Sequence, residues 1–167
     1  LLKSPNCASH TVNVLGAANA YPYSKPITPY SDNEELYIPN EPWSFGKENY
    51  AILSTMIHTR AKMKTYLRTT MDQASKTGRP PMRPLFFDFP NDLNAIIIED
   101  QYMFGDDLMV APVLSYQQRY RDVYFPGTST DKWINFWNEQ ETYNGGAMEK
   151  NMSAPIDIIL VFRRSSR

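Results

Sequence analysis

One cysteine, Cys7, occurs in 167 residues, which excludes an internal disulfide and a cysteine-based metal site. Histidine is nearly as sparse, with two residues, His10 and His58. His58 has no second His, Cys or carboxylate at ligand spacing, so a surface or hydrogen-bonded imidazole is expected there. No run approaches the ~18 apolar residues of a membrane span. A net charge of −1 gives no electrostatic reason to expect nucleic acid or an anionic membrane as partner. Glycine is scarce where chemistry would need it. There is no Gly-X-Gly-X-X-Gly, no phosphate-cradling loop, and no Gly-X-Ser-X-Gly elbow around Ser9-His10. Leu1-Leu2-Lys3-Ser4-Pro5 shows neither an initiator Met nor a signal-peptide pattern, so a fragment or processed chain is expected.

What the chain does contain is apolar and aromatic. At 42% hydrophobic and 13% aromatic, it has enough apolar side chains for a packed core. Residues 1–39 are irregular and rich in Tyr and Pro, most densely over Tyr21–Tyr30. They read as a long loop packed on its own tyrosines or offering rings to a sugar face. From Gly46 to Thr77, Tyr50, Leu53, Met56, Ile57, Met63, Leu67, Met71 and Ala74 recur mainly at three- and four-residue steps, which predicts one helix. Gly78 stops it and Pro80-Pro81 prevents continuation. Two short apolar runs, Met82–Phe89 and Leu108–Leu114, read as buried strands with a short helix in Leu93–Tyr102, closed by Gly105. Strands are expected at Arg121–Phe125, Trp133–Trp137 and Ile156–Phe162, with Tyr143–Met148 as a hairpin around Gly145-Gly146. The architecture therefore changes near residue 106, from helix and strand to an antiparallel sandwich.

The acidic groupings are Glu34-Glu35, Glu41, Asp88 with Asp92, Glu99-Asp100 and Asp106-Asp107. A retaining glycosidase needs two carboxyls ~5–5.5 Å apart across one bond. Asp106-Asp107, if extended, point to opposite faces. Asp88 and Asp92 flank a turn, where cap and turn roles are the commoner fate. Glu41, in Asn40-Glu41-Pro42-Trp43, directly precedes the helical stretch and is expected to cap or charge its start. Arg83 is a charge inside an apolar strand, so it is expected either to meet a buried carboxylate, with Asp88, Asp92 and Asp100 as candidates, or to point into a polar barrel mouth. Trp133 and Trp137 are expected to pack inward, although tryptophan also binds sugar.

The run Gly78-Arg-Pro-Pro-Met-Arg-Pro-Leu-Phe-Phe-Asp-Phe-Pro90, Asp92, and Asp100-Gln-Tyr-Met-Phe-Gly-Asp-Asp-Leu-Met-Val-Ala-Pro-Val113 closely resembles glycoside hydrolase family 31. The likeness extends back to Asn40-Glu-Pro-Trp-Ser-Phe-Gly46. It extends forward through Val123-Tyr-Phe-Pro-Gly127, Trp133, Tyr143-Asn-Gly-Gly146 and Ala154-Pro-Ile-Asp157. The resemblance implies an α/β then all-β fold. Residues 40–105 would be the C-terminal end of a (β/α)8 barrel with Met82–Phe89 as its last strand, and residues 106–167 the proximal part of a β-sandwich. It implies an α-glucosidase- or α-xylosidase-like enzyme acting on an α-linked oligosaccharide or glycoside, with no cofactor. Both catalytic carboxylates would lie upstream, on the remainder of the barrel, which this chain would need as its partner. His10 is the one candidate for a substrate-binding residue. The sequence departs from the family pattern at Thr65, Leu160 and Ser165, where the family has Pro, Pro and Gly. Those departures leave a second expectation, a non-catalytic carbohydrate-binding or interaction module derived from the same family.

Overall fold

A computed structural model of the chain describes residues 41–165. The Tyr-rich loop expected over residues 1–39, with Cys7 and His10, lies outside them. The chain forms two compact units that meet between Met63 and Lys64.

In the first unit a 3₁₀ turn, Pro42–Phe45, opens with proline, whose missing N–H is not needed there. Gly46, at φ +87°, turns the chain into α1, Lys47–Lys62. Glu41 therefore precedes the 3₁₀ turn rather than α1. Its side chain makes no capping bond, while its carbonyl accepts from Ser44 N–H at 2.9 Å. The single helix expected from 46 to 77 is interrupted at Met63 (φ −81°, ψ 4°), whose N–H is shared between the Thr59 and Arg60 carbonyls at 3.1 Å each. A one-residue departure leaves the three-to-four spacing intact on both sides, so the apolar pattern runs through it.

The second unit begins with α2, Lys64–Thr77, which ends at Gly78 with φ +72°. The expected strand Met82–Phe89 is only three residues long: β1 is Met82–Pro84, and Leu85–Asp88 form a helical turn, α3. Pro84 has no N–H to extend the ladder, and its backbone (φ −63°, ψ 155°) caps the turn. A short apolar run reads alike in strand and helix, which is why the pattern misleads here. The helix α4, Leu93–Ile97, is shorter than expected and is followed by β2, Tyr102–Phe104, and β3, Leu108–Ala111. Gly105, at φ +65°, makes the β2–β3 turn instead of ending a helix.

The remaining strands are β4 (Tyr120–Tyr124), β5 (Lys132–Asn135), β6 (Thr142–Asn144), β7 (Met148–Ser153) and β8 (Leu160–Arg164). One sheet has the order β1-β2-β3-β8-β5-β6, and β4 and β7 form a second. Buried side chains of both, among them Met109, Val123, Phe125, Trp133, Leu160 and Phe162, form one core. This arrangement is consistent with a β-sandwich. The Gly145-Gly146 turn is not a hairpin, because β6 pairs with β5 and β7 with β4. The glycines instead carry the chain from one sheet to the other, where a Cβ on Gly145 would stand 2.4 Å from the Thr128 carbonyl oxygen. Every strand pair among the described residues is antiparallel. The parallel pairing of a (β/α)8 barrel is therefore absent from them, and β1 joins the sheet of β3 and β8.

Candidate functional site

A dense polar group of the second unit lies where α2, β1, α3 and the β2–β3 turn converge. Arg83 is 3% exposed, and an unpaired guanidinium there would be prohibitively costly. It is fully engaged. Nε donates to Asp88 at 2.9 Å, Nη1 to the Pro80 carbonyl at 2.9 Å, and Nη2 to the Gly105 carbonyl at 2.7 Å and Asp106 at 3.1 Å. Arg79 closes the group by bonding Asp88 and, at 3.0 Å, Asp106. Two cations thus face two carboxylates. Asp88 was among the partners expected for Arg83; Asp106 was not, because turn geometry rather than spacing brings it close. A cavity of about 140 Å³ borders the group, lined in part by Thr70, Gln73, Thr77, Arg79, Arg83 and Asp106.

Asp92 forms a second node. It caps α4 by accepting from the N–H groups of Asn94 (3.1 Å) and Ala95 (3.3 Å). It also accepts from Tyr124 Oη at 2.8 Å and from Gly127 N–H at 2.9 Å. Burial opposes its charge, but these hydrogen bonds outweigh that and hold its pKa below the usual carboxylate range. A third node is Asp131, which accepts from Arg164 at 2.6 Å and from Thr128 N–H at 2.9 Å. Burial again opposes the charge, and the Arg164 and Thr128 bonds bring the pKa down to about 2. On the exposed Glu141, hydrogen bonds from the Asn135 and Asn138 amides lower the pKa.

Among the described residues, the three carboxylates with shifted titration all move downward. A general acid needs the opposite shift, so these groups serve as fixed anions that hold loops. Asp106 and Asp107 lie in the β2–β3 turn rather than in a strand. Asp106 faces the two arginines, while the Asp107 N–H bonds Tyr66 Oη at 3.3 Å. Asp100 pairs with Arg121 at 2.8 Å. His58 is exposed and its Nδ1 lies 2.7 Å from the Ser54 carbonyl oxygen. Trp133 is fully buried, with its indole N–H on the Pro126 carbonyl at 3.0 Å. Trp137 is half-buried and bonds the Ile159 carbonyl at 2.6 Å. No group of three or more His, Cys, Asp or Glu that could hold a metal ion occurs among the described residues, and no described helix is long and apolar enough to cross a membrane.

Several residues that organise these nodes carry little signal in the sequence. Arg121 does carry one, since a charge at a buried strand position demands a partner just as Arg83 does. Gln101 and Tyr66 carry none, because their partners are main-chain groups 23 and 38 residues away.

Comparison with known proteins gives these geometries a family. Residues 78–166 match the model of the glycosyl hydrolase family 31 C-terminal domain. Alpha-xylosidase A of Aspergillus niger is 38% identical over 140 residues, which cover 77% of this chain and 19% of that protein. Alpha-glucosidase 2 of Bacillus thermoamyloliquefaciens is 31% identical over 138 residues, covering 81% and 17%. Among solved structures, a GH31 alpha-xylosidase from a soil metagenome, complexed with xylose, superposes with TM-score 0.71 at 43% identity. It covers 77% of this chain and 18% of that one. The chain thus spans about a fifth of the length of these relatives. On the strength of the C-terminal domain match and these relatives, the chain belongs to glycosyl hydrolase family 31.

Proposed function

We propose that this chain is the C-terminal part of a retaining α-glycosidase that hydrolyses α-xylosidic or α-glucosidic bonds. The observation that carries the reading is the extended match to alpha-xylosidase A of Aspergillus niger, 38% identical over 140 residues. In the parent protein a nucleophilic carboxylate and an acid/base carboxylate would act through a glycosyl-enzyme intermediate and an oxocarbenium-like transition state. Both would lie upstream of Leu1, on the remainder of the barrel. The carboxylates present here support that division of labour, because Asp88, Asp92 and Asp131 are committed to arginines, caps and backbone amides.

In this reading residues 40–105 lie at the closing end of the parent barrel and residues 106–167 begin its sandwich, with β1 and β2 at the seam. The 167-residue chain alone would be inactive, since it would lack both reacting groups. Its role is to brace the barrel, while His10 remains the proposed substrate contact.

The test uses the gene that encodes this chain. A Trp-X-Asp-Met-Asn-Glu motif upstream of Leu1, together with hydrolysis of nitrophenyl α-xyloside or α-glucoside by the parent protein, is expected. Turnover by the purified 167-residue chain would overturn the division of labour. An upstream region without that motif would favour a non-catalytic carbohydrate-binding module.

A further inference from the structure

The cavity beside the Arg79–Arg83 cluster is walled by hydrogen-bonding groups that the ion pairs leave unused. Thr70, on its wall, is 5% exposed, yet its hydroxyl bonds no other described residue. A Cβ at Gly105, on the same wall, would stand 3.0 Å from that hydroxyl and crowd it. A buried polar group without a protein partner calls for something in the adjoining space to bond it. The Gln73 side-chain amide, also on the wall, bonds no described residue either. Both arginines reach Asp106 through Oδ1, so its Oδ2 has no partner among the described residues. Arg79 spends Nη1 on Asp106 and Nη2 on Asp88, which leaves its Nε–H to donate. Ala74 and Pro81 add an apolar strip to the wall.

We propose that this cavity binds a neutral polyol ring, a single pyranose. Charge decides against the alternatives. Asp88 and Asp106 balance Arg79 and Arg83, so a phosphate would be opposed by the Asp106 carboxylate and a metal ion by two guanidiniums. An apolar ligand would leave the Thr70 hydroxyl buried without a bond. A hydroxyl both donates and accepts, so a pair of neighbouring sugar hydroxyls satisfies the mixed set on the wall. One donates to Asp106 Oδ2 and the next accepts from Arg79 Nε–H. A third hydroxyl bonds Thr70 and Gln73, while the C–H face of the ring packs on Ala74 and Pro81. Size agrees as well. The cavity of about 140 Å³ holds roughly ten water-sized positions, about the heavy-atom count of one pyranose. Four hydrogen bonds that each replace a bond to water point to a Kd on the order of 1 mM. The choice of xylose and glucose as the sugars to test rests on the proposed α-glycosidase reading.

The experiment measures hydrogen exchange in the full-length parent over residues 66–79 and 103–107, with and without xylose or glucose. Trimethylamine N-oxide, which has no hydroxyl, controls for a general solute effect. At about 20 mM sugar, exchange over these residues is expected to slow roughly threefold or more, and not with the control. Thr70→Val removes the hydroxyl at nearly constant shape, Gln73→Ala removes the amide, and Ala74→Leu fills the cavity. Each variant should lose most of the sugar-dependent protection, read as a difference within that variant, so Q73A and A74L still decide the matter if T70V fails to fold. No local protection by either sugar would overturn the proposal, leaving water as the partner of Thr70. Equal protection by the control, or by sugar in all three variants, would overturn it too. Glycosidase activity is assayed on the same samples. A protected cavity in an inactive parent would sink the functional reading alone, and an active parent with no protection would sink this proposal alone.

Discussion

The side-chain amide of Gln101 forms a complete two-point pair with the main chain of Tyr124. Its Oε1 accepts from the Tyr124 N–H at 2.8 Å and its Nε2 donates to the Tyr124 carbonyl at 2.8 Å. One buried side chain thereby stands in for a strand neighbour and ties the entry of β2 to β4 in the other sheet. Replacing Gln101 with Leu would strand a buried N–H and a buried carbonyl, at about 2–4 kcal/mol. Urea denaturation should show that loss as a lower midpoint at unchanged slope. A change under about 0.5 kcal/mol would mean that water or a shifted strand satisfies Tyr124 instead.

Arg83→Met should be among the most damaging single changes in the second unit. It would leave Asp88, which is 8% exposed, with Arg79 alone, and would free the Gly105 and Pro80 carbonyls. Breaking one side of such a buried pair costs about 3–5 kcal/mol. Thermal unfolding is the measurement, with Arg83→Lys as comparator. Lysine keeps the charge but cannot reach four acceptors at once, so it should recover only part of the loss. Full recovery by lysine would show that charge alone matters there.

The Asp131–Arg164 pair predicts a pH dependence with a definite sign. Its carboxyl titrates near 3.8 when unfolded and at about 2 when folded. The stabilisation is therefore complete above pH 3.8 and disappears as pH falls through 2. The total is on the order of 2 kcal/mol. Stability measured at pH 5, 3.5 and 2 should fall more steeply for the wild type than for Asp131→Asn. Parallel curves would locate the acid sensitivity elsewhere.

Gly105→Ala should destabilise for two reasons that can be separated. The residue sits at φ +65°, and a Cβ would lie 2.2 Å from Tyr66 Oη. The backbone conformation and the clash together should cost about 2–4 kcal/mol. Tyr66→Phe alone removes the bond to the Phe104 carbonyl and the one from the Asp107 N–H and should cost about 1–2 kcal/mol. The double variant should be more stable than the sum of the two losses, because deleting the hydroxyl relieves the clash. Simple additivity would rule out the Tyr66 contact as the reason for glycine.

The strands that alternate or carry β-branched and aromatic residues, Leu108–Ala111 and Tyr120–Tyr124, are close to where their apolar pattern places them. The stop at Gly78 is equally local, since only φ > 0 is demanded there. Three features were not set by the local apolar pattern. Leu85–Asp88 is a helical turn because Pro84 ends the ladder, and apolarity alone does not distinguish the two states. Gly145-Gly146 crosses between sheets because β5, not β7, pairs with β6, a choice made by long-range pairing. Asp106 reaches Arg83 across the β2–β3 turn, 23 residues away, so no sequence spacing reports it.

By itself the amino-acid sequence determined the kind of protein. Its run of Pro, Phe and Asp from Gly78 to Val113 identifies the family, and the charge on Arg83 requires a buried counter-ion wherever the chain folds. The tertiary structure decided which carboxylates meet that demand, and it committed them to holding loops. The reason lies in range. Propensity and periodicity act over a few residues, whereas ion pairing and strand order are settled by groups far apart in the chain that meet only once the core has formed.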